Sequence, residues 1–177
     1  MVPDISDYKN NNDLIVLFFA ILTVDVIVLF LTRYFPNILG ETLNEWYDRF
    51  GLNAVLSDVL IILIGFIIAR YVYTTYFKKA YGWNPTLFVG LVVLIQAIHD
   101  VLFYVGVIKP IPFGHNQMID VFKKYSNAGA KIIVGDAGLM IASALVAFFY
   151  KSQPQHVFAS SSVLVSYALP YILYTKH

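Results

Sequence analysis

A chain of 177 residues, 59% hydrophobic and 13% charged, with a mean hydropathy of +0.69, is too apolar for a soluble domain of this length and reads as a multipass membrane protein. Its formal net charge of +1, with 12 basic residues scattered singly or in pairs, excludes a nucleic-acid surface. Zero cysteines exclude disulfides, thiol catalysis and cysteine-ligated metal centres.

The head, Met1 to Asp13, sets Asp4, Asp7 and Asp13 against Lys9, the opposite of the basic start of a cleavable signal peptide, so the first apolar run is expected to be retained. That run, Leu14 to Thr32, is a span interrupted by Thr23 and Asp25 near its middle. After the breakers Pro36 and Gly40, the stretch Glu41 to Phe50 places Leu43, Trp46, Tyr47 and Phe50 at helical spacing against Glu45, Asp48 and Arg49. This pattern predicts a short amphipathic helix in the interface, where Trp and Tyr are favoured.

The second span, Ala54 to Tyr73, carries Asp58 near its start and Arg70 near its end, and Arg70 is expected to snorkel to the headgroups beside Tyr71, Tyr73 and Tyr76. Lys78 to Asn84 reads as a turn, and Asn84-Pro85 opens the third span with proline at a tolerated helix start. Thr86 to Ile108 covers ~34 Å at ~1.5 Å per residue, enough for a hydrocarbon core of ~30 Å. Gln96, His99 and Asp100 lie near its midpoint at three- and four-residue spacing, so they share one helical face that must meet protein or water rather than lipid.

Lys109-Pro110-Ile111-Pro112-Phe113-Gly114-His115 cannot be helical and reads as a semi-rigid turn. Met118 to Asn127 predicts a second interfacial helix, with Met118, Ile119, Val121, Phe122 and Tyr125 among Asp120, Lys123 and Lys124. The fourth span, Gly129 to Phe149, has Lys131 in its first turn and Asp136 deeper; a small-residue face at Gly135, Gly138 and Ala142 suggests close packing and a central position. Pro154 breaks the chain before the last run, Val157 to Tyr174, which is long enough to span despite three consecutive serines and Pro170. A terminal surface segment in its place is the alternative. The expected fold is thus all-α, a single bundle of about five spans with two short interfacial helices and no internal repeat.

If the N-terminal side is called A and the opposite side B, side A carries Lys9, Arg70, Lys78, Lys79 and Lys151. Side B carries Arg33, Arg49, Lys109, Lys123, Lys124, Lys131 and Lys176. Five against seven favours side B as cytoplasmic, with the termini on opposite sides.

Each of the first four spans contains one aspartate: Asp25, Asp58, Asp100 and Asp136. Counted inward from side B they lie ~6 to ~12 Å deep at ~1.5 Å per residue, in one layer that also holds His99, with Lys131 just above it. Four ionised carboxylates cannot all be dry at that depth. Protons, a cation, water, or pairing with Lys131 and His99 must balance them. The alternative is that each caps a helix or ties it to a neighbour through Ser57, Thr23, Gln96 or backbone groups. No phosphate loop, HExxH, GxSxG or potassium-filter sequence occurs, and His115, His156 and His177 are too dispersed to assemble a metal site, so no cofactor is expected.

The stretch His99 to Tyr104, with Lys109-Pro110-Ile111-Pro112 and Asn116 to Phe122, resembles small multipass proteins of unknown activity from large icosahedral double-stranded DNA viruses. The resemblance implies a protein of the internal membrane of such a virus, in contact with its capsid or with other membrane proteins. Two functional readings compete: a non-enzymatic structural or interaction protein, and a small proton- or cation-handling transporter or channel built on the aspartate layer. An enzyme acting on lipid, with His99 and Asp100 as acid and base, stands third. Access of water to Asp100 discriminates among them.

Overall fold

The computed structural model describes residues 2–35, 41–126 and 130–175, which form helices and connecting turns with no strand among them. Five helices are long and apolar enough to cross a membrane, which makes the chain a multipass membrane protein. They are α1 (Asn12–Tyr34), α3 (Leu52–Val72), α4 (Pro85–Phe103), α6 (Ala130–Ser152) and α7 (Gln155–Leu173); the short α2 (Glu41–Phe50) and α5 (Gln117–Ser126) lie between them. The α1 helix packs on α3, α6 and α7, and α4 completes the bundle against α3 and α6. The bundle core joins Leu17, Ile21 and Leu29 of α1 to Val59 and Phe66 of α3 and Phe88 and Val92 of α4, together with Met140, Ala144 and Ala147 of α6.

Four sequence expectations are corrected. The segment Lys78 to Asn84 is not one turn: α3 continues through a π turn, Tyr73–Phe77, into a further helical turn, Lys78–Tyr81, leaving only Gly82 to Asn84 as the connection. Buried Tyr73 holds that connection, its hydroxyl donating to the Gly82 carbonyl at 2.9 Å and accepting from the Asn84 amide at 2.8 Å. Secondly, Gly135 and Gly138 are exposed with open space where a side chain would stand, and α6 packs instead through Met140, Ser143, Ala144 and Ala147. Small residues pack helices only on the face turned to a neighbour, and here that face lies a few residues further along.

The third correction concerns Arg70, which does not snorkel. It is 1% exposed and donates to the backbone carbonyls of Asp7 and, at 2.7 Å, Asn10, with buried Asp13 at 3.7 Å. A guanidinium presents five donors in a planar fork, so two carbonyls on one folded-back segment, with the Asp13 carboxylate at the start of α1, outcompete headgroups. That segment, residues 2–11, lies across the side A end of the bundle. Trp83 donates to the Val2 carbonyl at 2.9 Å, Thr74 to the Ser6 carbonyl at 2.8 Å, and Lys78 pairs with Asp4 at 2.9 Å. Lys151 joins the Asp4 carbonyl to the Asp13 carboxylate at 2.6 Å.

At the side B end, buried Arg33 joins three helices: it reaches Asn44 at 3.1 Å and Asp48 at 2.5 Å on α2, and the carbonyl of Leu173 at the end of α7 at 3.0 Å. The chain passes from α2 to α3 at Gly51, whose φ of +53° requires glycine. The described ends of the chain therefore sit at opposite ends of the bundle.

Candidate functional site

On α4 the buried stripe Phe88, Val92 and Gln96 repeats every four residues, and Asp100 is the next position on it. Beyond Gln96 the helix meets the bundle less closely, and a π turn, Tyr104–Ile108, resets its register. The space so left is a cavity of about 780 Å³ between α1, α3, α4 and α6, roofed on side B by α2 and α5. Asp25, Asp58, Asp100 and Asp136 all line it, as do Gln96 and His99. The side chains of Asp100 and His99 remain 20% and 28% exposed, so they open into that space. The side chain of Lys131 lies outside the described residues.

The carboxyls are held unequally. The Tyr47 hydroxyl donates to Asp25 Oδ1 at 3.1 Å, and the indole of the adjacent Trp46 donates to Asp58 Oδ2 at 2.9 Å. Asp100 Oδ1 accepts from Gln96 Nε2 at 2.7 Å and lies 3.3 Å from His99 Nδ1. Asp136 has Asp100 and Asp58 as acidic neighbours across the cavity, and Asp58 has Asp25. Among the described residues acceptors outnumber donors: Asp25 Oδ2, Asp100 Oδ2 and Gln96 Oε1 are buried with no donor from that set. Asp25 and Gln96 are each 5% exposed, so bulk water does not satisfy those atoms.

The fourth correction follows from these partners. Thr23 does not cap Asp25; its hydroxyl bonds the Phe19 carbonyl at 2.6 Å and the Tyr150 hydroxyl at 2.8 Å. The donors to Asp25 and Asp58 come from α2, whose Trp46 and Tyr47 are 6% and 3% exposed rather than lodged among headgroups. The signal for this was present: a buried Trp or Tyr needs a partner for its N–H or O–H, and intramembrane aspartates need donors.

The two short helices also meet each other. Trp46 and Phe122 have ring centroids 4.8 Å apart, and Lys124 of α5 pairs with Glu45 of α2 at 2.8 Å. The α4–α5 turn is folded onto α5: the Gly114 amide bonds both oxygens of Asp120 at 3.1 Å, and Asn116 Oδ1 accepts from the Met118 amide at 2.9 Å at the helix start. Among the described residues no group of three or more His, Asp or Glu side chains has the geometry to hold a metal ion. No family model, curated protein or solved structure matches the chain, so its activity is read from the site's own geometry.

Proposed function

We propose that this membrane protein handles protons or cations through the carboxyl layer at the base of the side B cavity. The observation that carries the reading is the placement of all four intramembrane aspartates and His99 on one cavity in which, among the described residues, buried acceptors outnumber donors. An excess of acceptors in a low-dielectric layer is balanced by bound protons or by a cation, which are the two species such a site can exchange. Asp100 is the central group: it is exposed to the cavity, it touches Gln96 and His99, and its second oxygen has no donor among the described residues. His99 supplies a titratable nitrogen beside it for proton transfer.

A structural role is the second reading, favoured by one observation. Trp46 and Tyr47 tie α2 to Asp58 and Asp25, so two of the four carboxyls fasten an interfacial helix to the bundle. Reconstitution in vesicles with a pH-sensitive dye inside separates the readings. In a relay, Asp100→Asn abolishes proton or cation flux while the protein stays folded. In a structural bundle it changes thermal stability and leaves flux at the background of empty vesicles.

A further inference from the structure

We infer that the cavity binds a cationic amphiphile, its amine or quaternary ammonium head among the carboxyls and its apolar body along the lipid-facing wall. The inference rests on the same carboxyl cluster as the proton- or cation-handling reading and names the ligand class. Three observations converge on it. The first is the shape of the cavity: Leu60 and Ile64 of α3, Val101 of α4, Tyr104 of the π turn that follows it and Ile133 of α6 line it and are each at least 40% exposed. Its wall therefore runs out to the surface that faces lipid, and a volume of about 780 Å³ suits a drug-sized molecule rather than a bare ion.

The second observation is charge. The described lining residues include four aspartates and no lysine or arginine. Asp25 and Gln96, both 5% exposed, bring to this lining oxygens that have no donor among the described residues. A primary alkylammonium brings N–H donors and a positive charge to such acceptors and a quaternary one brings the charge alone, whereas a neutral alcohol brings a donor without charge and an anion brings the wrong sign.

The third is a file of rings. Trp46 and Phe122 are 4.8 Å apart, Phe122 and Phe103 6.4 Å, and Phe103 stacks on His99 at 5.5 Å, so an aromatic wall leads from the interfacial helices to Asp100. Aromatic faces attract ammonium groups without hydrogen bonds, which extends recognition to quaternary amines.

The test uses the full chain in uncharged maltoside micelles with radiolabelled dodecyltrimethylammonium as the probe. Binding is expected to be saturable, competed by dodecylamine, and not competed by dodecanol or dodecyl sulfate. Asp100→Asn with Asp136→Asn should weaken it roughly tenfold or more, the scale of losing charge attraction in a poorly solvated site. Because a carboxyl variant can also disturb folding, Val101→Trp serves as the second probe. That position is 52% exposed to lipid, so the larger ring fills the mouth of the cavity, leaves every carboxyl in place, and should weaken binding as well. Equal competition by dodecanol, or full binding in both variants, overturns the inference. Absence of saturable binding, with proton flux still lost in Asp100→Asn, overturns the amphiphile and leaves the relay standing; amine binding without flux does the reverse.

Discussion

At the scale of single residues, the site depends on donors that α2 delivers and on one position where a side chain is missing. Trp46→Phe keeps the ring against Phe122 and Phe50 but removes the donor to Asp58, so it should cost about 1 to 3 kcal/mol, the penalty for stranding a buried acceptor. Tyr47→Phe should cost a similar amount through Asp25. Thermal unfolding in micelles measures both, and variants as stable as the parent would show that these contacts only accompany the fold. Gly65 of α3 faces the site from the other side: a Cβ there would stand 3.1 Å from the Met140 methyl and 3.2 Å from Gln96 Oε1. The methionine end can swing away, whereas Gln96 is held by its bond to Asp100. Gly65→Ala should therefore weaken the Gln96–Asp100 contact and destabilise by about 1 to 3 kcal/mol through overpacking, and unchanged stability would mean that Gln96 moves freely.

At the scale of elements, apolar runs and breakers carry most of the information, because spanning length and backbone closure depend on composition alone. What patterning leaves open is which polar group meets which. The span that carries Arg70 illustrates this: its arginine sits where snorkelling is normal, and only the fold of residues 2–11 back onto the start of α1 brings two carbonyls and the Asp13 carboxylate together around it. Arg70→Met should release that segment by removing the donor to the Asp7 and Asn10 carbonyls, at a cost of about 1 to 3 kcal/mol, while Asp13, which is 2% exposed, keeps Lys151 at 2.6 Å. Arg70→Lys should fall between, since it restores the charge without the fork. Faster proteolysis of the N-terminal segment in Arg70→Met is the expected readout, and cleavage at the parent rate would remove the segment from the stability of the bundle. The same segment should respond to acid. Burial pushes the Asp4 carboxyl up, but hydrogen bonds from Ser6 and the Lys78 ammonium outweigh it and hold the group below its ordinary 3.8. A carboxyl depressed in the folded state contributes stability that is complete above that ordinary value and is lost as pH falls through the lower one. Protease sensitivity of residues 2–11 should accordingly rise below pH ~4, and Asp4→Asn should flatten that rise; a rise of the same size in Asp4→Asn would assign it to other groups.

At the scale of the whole molecule, the matched depths of the four aspartates were readable from span ends and helical rise, since depth needs only counting. Their convergence on one cavity was not, because azimuth depends on how far α4 leans from α3 and α6 and on the π turn at Tyr104–Ile108, which no periodicity announces. The resulting asymmetry supplies the final prediction. Residues 2–11 cross the side A end through Trp83, Thr74, Lys78 and Lys151, whereas the cavity reaches the side B turn at Asn116 and the lipid-facing positions Val101 and Ile64. The chain has no cysteine, so single cysteines report access directly. A charged, membrane-impermeant maleimide should label Asn116→Cys from side B and never from side A. Ile64→Cys, 48% exposed toward lipid, should react with a lipid-soluble maleimide and resist the charged one, while Ala147→Cys, fully buried between helices, should resist both. His99→Cys decides the matter, because it sits at the base of the cavity: labelling by the charged reagent from side B alone matches a one-sided aqueous vestibule. Labelling from side A would mean that the segment over that end opens in the membrane. A cavity open alternately to both sides would then replace a one-sided pocket as the working state.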